Sequence, residues 1–337
     1  MAPYSIVRVW AVTRILVTGA AGFVGRTVLT ALAQRGFVLR AALRNPPRSP
    51  LPTGIEIAEL PDLASEFDWR PLLNGVDLVI HLAAIADSGA ADPALHDRVN
   101  RWATERLARA AAGSGVSRFV FISSIRAQSG PSADHALTER DAAEPSDGYG
   151  RSKLAAEAAV RAAGVPFSIL RPVPLYGPGV KGNFGLLLRA AQSRWPLPVK
   201  DFVNRRSLLG IDNLVSAIEF VLSAAVALNE TYIVADPGTP PRFADVMTIL
   251  RQAQGRRPMI FALSRPIVEM PMRLLRPDLW ERLSGNLRAD PAKLLAAGWQ
   301  PLHDTRDGLV ALIQGVETAA ASRSFNTIPP STPTPNT

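Results

Sequence analysis

The chain has 337 residues, 47% of them hydrophobic, enough for one large α/β domain or two ordinary ones with a buried core. It has no cysteine, which excludes disulfides and thiolate metal sites, and its four histidines (His81, His96, His135 and His303) lack metal-ligand spacing. The formal net charge of +8 forms no run and lacks interleaved aromatics, so it suits a mildly basic surface or anionic small ligands rather than nucleic acid.

The opening "MAPYSIVRVWAV" is apolar but runs straight into a strand, without an h-region of adequate length or a small-residue cleavage site. Residues 1–13 are therefore read as an extension, and a cytoplasmic location suits a cysteine-free chain. From there short apolar runs alternate with helical patterns, as in a parallel sheet with crossovers. The predicted strands are "RILVT" (14–18), "VLRAAL" (38–43), "IEIAE" (55–59), "DLVIHL" (77–82), "RFVFIS" (118–123) and "FSILR" (167–171). Helical patterns fall at about 23–35, 95–113 and 149–163. Past Arg171, "RPVPLYGPGVKGNF" is a long loop rich in Pro and Gly. Shorter elements follow, with helices near 184–193, 212–226, 242–254 and 305–316 and strands near 207–210 and 231–235. The 264–283 stretch mixes basic and apolar residues in a helical pattern, fitting either packing on this second half or a peripheral membrane contact. No apolar run reaches membrane-spanning length, and residues 322–337, rich in Pro, Thr and Ser, read as a disordered tail.

"ILVTGAAGFVG" sets Gly19, Gly22 and Gly25 between a strand and a helix. Small residues there permit a tight turn and close approach of backbone amides to a pyrophosphate, which the helix N-terminus also favours. The expected fold is thus α/β, a Rossmann-type doubly wound parallel sheet over 14–172. A smaller, discontinuous α/β substrate-binding cap over 173–321 includes segments that return to the first domain. The end of the second strand should meet the adenosine ribose. There the chain carries Arg44, followed by Asn45 and Arg48, and a guanidinium suits the 2′-phosphate of NADP. Stacking on adenine or a solvent position are its alternatives, so the cofactor is NAD or NADP. Asp62 in "ELPDL" either reaches the adenine amino group or is a plain turn residue, and Leu63 lies beside it.

"FISS" ends a strand with Ser123 and Ser124, and about 25 residues on Tyr149 and Lys153 stand four apart at a helix start. A free phenol has a pKa near ~10. An ammonium within about 4–6 Å, with the positive charge of a nicotinamide, lowers it toward a useful base. Tyr149 would exchange a proton with a substrate hydroxyl or carbonyl while hydride moves to or from the cofactor. Ser124 would orient the same oxygen, and Lys153 would also hold ribose hydroxyls.

"TGAAGFVG", "HLAA" (81–84), "VN" (99–100), "FISS" and "YGRSK" together resemble the extended short-chain dehydrogenase/reductases, from about residue 14 to 320. "RPVPLYGPGVKGNF", "NRRSLLGIDNLVSAI" and "LSGNLRADPAKLLAAGWQP" are similar to bacterial NAD-dependent epimerase/dehydratases, among them UDP-hexose 4-epimerases and UDP-sugar 4-ketoreductases. The resemblance implies a catalytic triad of Ser124, Tyr149 and Lys153. It implies cofactor contacts from Gly19, Gly22, Phe23, Val24, Gly25, Ala83 and Ala84, and a structural anchor at Asn100. Asn183 and Phe184 would touch the sugar nucleotide, and Arg206 would pair with its diphosphate, with Arg205 as the neighbouring alternative.

Sugar 4,6-dehydratases place an Asp-Glu pair after the catalytic hydroxyl. This chain has Ile125 and Arg126 there, so dehydration is set aside. The 4-epimerases often carry an acidic residue where Arg44 stands. The expected activity is nucleotide-sugar 4-epimerisation by transient oxidation at C4. An NADPH-dependent 4-ketoreductase is the alternative, and a non-catalytic dinucleotide sensor the remote one. A homodimer is compatible with the resemblance.

Overall fold

A computed structural model describes residues 13–47, 49–85, 92–180, 182–275 and 277–325. Residues 1–12, Arg48 and residues 326–337, on which the extension, one basic neighbour of Arg44 and most of the expected tail fall, lie outside the described residues.

Seven parallel strands form the central sheet: β1 (Arg14–Thr18), β2 (Val38–Leu43), β3 (Glu56–Glu59), β4 (Leu78–His81), β5 (Arg118–Ile122), β6 (Phe167–Pro172) and β7 (Glu230–Val234). Their order is β7-β6-β5-β4-β1-β2-β3, with Thr18 in register with Ala42 on one side and His81 on the other. The inner strands are buried on both faces, which is why they read as almost unbroken apolar runs.

Strand alternation divides those residues between two cores. Ile15, Val17, Ile80, Val120 and Leu170 face helix α1 (Phe23–Gln34) and a later helix, named α5 below. Leu16, Val79, Phe119, Phe121 and Ile169 face α2 (Ala103–Gly113) and α3 (Gly148–Ala162) on the other side. A turn of π-helix at Asp97–Trp102 leads into α2. Within it Asn100 is buried and clamps Ile85, accepting from its N–H (2.8 Å) and donating to its carbonyl (3.1 Å).

Beyond β6 come α4 (Gly182–Gln192), α5 (Ile211–Ser223), α6 (Phe243–Ala253), α7 (Arg265–Leu275), α8 (Pro277–Ser284) and α9 (Thr305–Phe325). α5 packs on the sheet through Leu214, Ile218 and Val221, and β7 extends the sheet past β6. A third core, with Phe184, Ala191, Met247, Leu250, Leu309 and Leu312, joins α4, α6 and α9. α9 runs nine residues further than its pattern predicts and carries residues 322–325 of the expected tail in its last turn. Arg70–Leu73, a single helical turn, carries no periodic signal of its own and was not expected. Among the described residues no helix is long and apolar enough to cross a membrane.

Candidate active site

β1 and β4 are neighbours whose following connections run to opposite sides of the sheet, so a crevice opens beyond their carboxyl ends. Gly19 turns the chain there at φ +70°, and a Cβ on it would lie 2.7 Å from the Ala83 nitrogen. Gly25 lets α1 lie on the loop, because a Cβ there would stand 2.3 Å from the Gly19 carbonyl oxygen. Gly22 caps α1 with no side-chain hydrogen bond to its first amides and no acidic residue in its first turn. Those amides are left to a ligand or to water.

The crevice is a groove of about 810 Å³ lined by Gly19, Gly22, Arg44, Asp62, Leu63, Ala83 and Ala84 among others. Arg44 is exposed on its rim, compatible with each of its three expected positions. Asp62 is also a turn residue, its Oδ1 accepting from the Ala64 N–H at 3.0 Å. Of the expected glycine-loop contacts, Gly25 is spent on packing and Phe23 reaches toward Gly177. Val24 lines a second cavity. Arg26 also lines the groove and was not singled out from the sequence. Its guanidinium donates to the carbonyls of Ser49 and Pro50 (3.1 and 3.0 Å), and a cation one turn into the helix after a glycine loop was the available signal.

Beneath the groove, Thr18, His81 and Thr104 form a buried bolt. Thr104 donates its hydroxyl hydrogen to the Asn100 carbonyl (2.6 Å), so it accepts from His81 Nε2 (2.9 Å). His81 Nδ1 then accepts from the Thr18 hydroxyl (2.6 Å). Burial, with the Lys153 charge nearby, pushes the imidazole down to about 3, consistent with this neutral form.

The second cavity, about 510 Å³, gathers Ser124, Tyr149 and Lys153. It shares Leu82 and Ala84 with the groove, so the two spaces adjoin. Three features place the triad. Ser124 follows β5 in extended conformation and caps the Ile125–Ala127 turn, accepting from the Arg126 N–H at 3.2 Å. Asp147 caps α3 by accepting from the Gly150 N–H (2.7 Å) and pairs with the Arg126 guanidinium. Ser152 donates to the Tyr149 carbonyl (2.8 Å) and accepts from the Asn100 amide (3.0 Å), tying α3 to the π-turn.

Lys153 is almost fully buried, its ammonium donating to the Ile122 carbonyl at 2.7 Å and lying 4.2 Å from the Phe121 ring centre. Burial pushes it down to about 7, against the opposing pull of the Glu157 carboxylate. Glu157, one turn on, is sealed in and receives Arg171 (2.7 and 2.9 Å), Arg161 (3.0 Å) and the Ser123 hydroxyl (2.6 Å). Burial pushes its carboxyl up, but these partners outweigh that and hold it below the usual range. Both serines line the cavity, but their bonds divide them: the Ser123 hydroxyl donates to Glu157, while the Ser124 oxygen accepts from the Arg126 N–H. His96, which the sequence placed in no site, is buried with its ring edge-on to Tyr149 (centroids 6.2 Å apart). Its Nε2 has no hydrogen-bond partner among the described residues.

The far wall holds Phe184, stacked on Tyr176 at 5.7 Å, and Arg206, which donates to the carbonyls of Gly285 and Pro131 (3.0 Å each). Arg205 instead binds the Pro240 carbonyl and is not part of the lining. Asn183 belongs to the first turn of α4, but its side chain lies outside the described residues. Ile125 and Arg126 line the cavity where a dehydratase would need carboxylates. Among the described residues no cluster of His, Asp and Glu could hold a metal ion.

The family model described as the NAD dependent epimerase/dehydratase family matches residues 15–235. UDP-glucose 4-epimerase of Vibrio cholerae is 31% identical over 316 residues, covering 87% of this chain and 92% of that protein. Ceramide reductase of Caulobacter vibrioides is 28% identical over 294 residues, covering 85% and 86%. Among solved structures, MoeE5 in complex with UDP-glucose and NAD superposes with a TM-score of 0.71 at 27% identity, covering 91% of this chain and 99% of that one.

Proposed function

The chain belongs to the NAD dependent epimerase/dehydratase family and is an enzyme of the extended short-chain dehydrogenase/reductase type, and from that premise we propose that it is a UDP-hexose 4-epimerase. One observation carries the reading: Ser124, Tyr149 and Lys153 line a single cavity that adjoins the glycine-loop groove across Leu82 and Ala84. The groove fits a dinucleotide, with a tight turn at Gly19, where any Cβ would strike the Ala83 backbone, and uncapped amides at the start of α1. Gly19, Gly22 and those amides would hold the pyrophosphate, Arg44 and Asp62 the adenosine end, and Lys153 the nicotinamide ribose. NAD bound there supplies hydride transfer from and back to C4.

The chain's own residues do the rest. Tyr149 takes the proton of the C4 hydroxyl as the carbonyl forms and returns it when the opposite face is reduced. Ser124 donates a hydrogen bond to that oxygen and fixes its position. Lys153, in its charged form, stabilises the phenolate. Arg206, opposite the triad, offers a guanidinium to the diphosphate, and Phe184 packs against the sugar. The similarity to an epimerase over 92% of its length supports this substrate class.

A second reading has a specific observation in its favour. Arg44, on the groove rim, suits the 2′-phosphate of NADP, and a ceramide reductase is among the relatives. That reading is a one-way NADPH-dependent ketoreductase using the same three residues. The test is to denature the purified protein, identify the nucleotide released, and incubate fresh enzyme with UDP-glucose and NAD. Retained NAD and formation of UDP-galactose support the epimerase. An empty groove with tight NADPH binding and no epimer supports the ketoreductase.

A further inference from the structure

We propose that the outer face of α7 docks the enzyme on an anionic phospholipid surface. Ile267, Met270, Leu274 and Leu275 are 60%, 74%, 84% and 73% exposed. Spaced i, i+3, i+7 and i+8, they form one stripe along the helix. A surface helix of a soluble domain ordinarily turns that stripe inward. Here the stripe faces out, and among the described side chains of α7 the half-buried ones are Glu269 and Met272.

Further exposed apolar residues precede α7 in the sequence. Residues 197–200 pair with 259–261 through the Leu197–Ile260 bridge and bonds from the Leu197 N–H to Met259 and the Lys200 N–H to Phe261. On these paired segments and their flanks Trp195 is 78% exposed, and Val203, Met259 and Phe261 also stand out. α7 begins four residues after Phe261.

The occupant follows from charge. Arg194, Arg256 and Arg257 line one depression of about 280 Å³ beside Met259, and Lys200 is exposed on the paired segment. Asp201 is the exposed acid among them, and Glu269 is paired with Arg273 at 2.7 Å. An exposed apolar stripe preceded in the chain by exposed guanidinium groups matches a bilayer in which acyl chains lie under phosphate headgroups. A protein partner's groove would need no such basic surround. α8 leads back from this face: Trp280 is buried against Phe202 (5.8 Å), and Leu283 lines the catalytic cavity. The surface thus lies one short helix from the substrate cavity, and the inference holds whichever substrate the cavity takes.

Flotation of the full chain with vesicles of phosphatidylglycerol and phosphatidylcholine, against pure phosphatidylcholine, tests it. Binding to the anionic vesicles should exceed binding to the neutral ones at least tenfold and fall with rising salt. Met270→Asp with Leu274→Asp should lower the bound fraction at least tenfold, and Arg256→Glu with Arg257→Glu should erase the preference for anionic lipid. Both double variants should keep the melting temperature and dinucleotide affinity of the parent, which separates docking from folding. Equal binding of parent and Met270→Asp/Leu274→Asp protein, or no binding to anionic vesicles, overturns the proposal. So does a dimer in light scattering that these aspartates convert to monomer, which would assign the face to a second copy of the chain.

Discussion

The α-carbon of Gly150 faces the carbonyl oxygen of Arg126 so closely that a Cβ there would lie 2.2 Å from it. The glycine between Tyr149 and the rest of α3 thus lets the helix start rest directly on the turn that carries Ser124. Gly150→Ala must push α3 and the Ile125–Ala127 turn apart, at a cost of about 1–3 kcal/mol. We expect a lowered melting temperature together with a fall in kcat larger than the change in cofactor affinity. A loss of stability with kcat unchanged would separate the packing from the placement of the triad.

Tyr149→Phe keeps the ring beside His96 and removes only the hydroxyl. Turnover should fall by roughly 10²–10⁴, the usual contribution of a positioned general acid or base. Titration of the dinucleotide by fluorescence should give an affinity within a factor of about two of the parent. A fully active variant would remove the proposed proton carrier.

Arg44 stands where the two cofactors differ, and its replacement should reveal which one the groove prefers. Arg44→Asp should weaken NADPH at least tenfold while changing NADH by less, measured by protein-to-nicotinamide energy transfer. Equal losses for both would place the guanidinium on the shared adenine or pyrophosphate.

Glu157 and Arg171 form a pair sealed beneath the cavity. Glu157→Gln leaves the Arg171 guanidinium buried without its counter-charge and should cost on the order of 3–5 kcal/mol in urea unfolding. It also removes the charge that holds Lys153 up, so the Lys153 ammonium should lose its proton at lower pH in the variant. A shift of the alkaline or neutral limb of the rate profile toward lower pH is the kinetic readout.

His81 makes stability depend on acid. Its folded pKa of about 3 lies below the ordinary 6.5, so the unfolded chain binds the extra proton between those values. This contribution is complete above pH 6.5 and is lost as the pH falls toward 3. Unfolding free energies measured from pH 4 to 6 should therefore show a slope about 1.4 kcal/mol per pH unit steeper in the parent than in His81→Gln. Parallel slopes would mean that the ring is protonated in the folded protein.

The sheet, and the gathering of Ser124, Tyr149 and Lys153 at one cavity, were legible because each has a local pattern. Buried parallel strands carry near-continuous apolar runs, and "YGRSK" follows from the spacing of one helical turn. Helix ends were read less well: α9 runs nine residues past position 316, where the sequence pattern gave no signal to continue. The bond of Ser123 to Glu157 gave no signal in "FISS", since its partner stands 34 residues away in sequence. His96 gave no signal because its place beside Tyr149 depends on the π-turn that precedes α2. The outward stripe of α7 was visible as a mixture of basic and apolar residues. Which face turns out is set by three-dimensional packing that no periodicity encodes.

Under the proposed mechanism, the division between Ser123 and Ser124 makes sheet register part of the catalytic apparatus. A slip of one residue in β5 would send the Ser124 hydroxyl to Glu157 and the Ser123 side chain to the opposite side. Register is held by Phe119, Val120, Phe121 and Ile122 clasped between the two cores, the last of them also lining the cavity. A shift of this register would exchange the bonding of the two hydroxyls, so the interior of the sheet acts as the address that decides which of them is tied to Glu157.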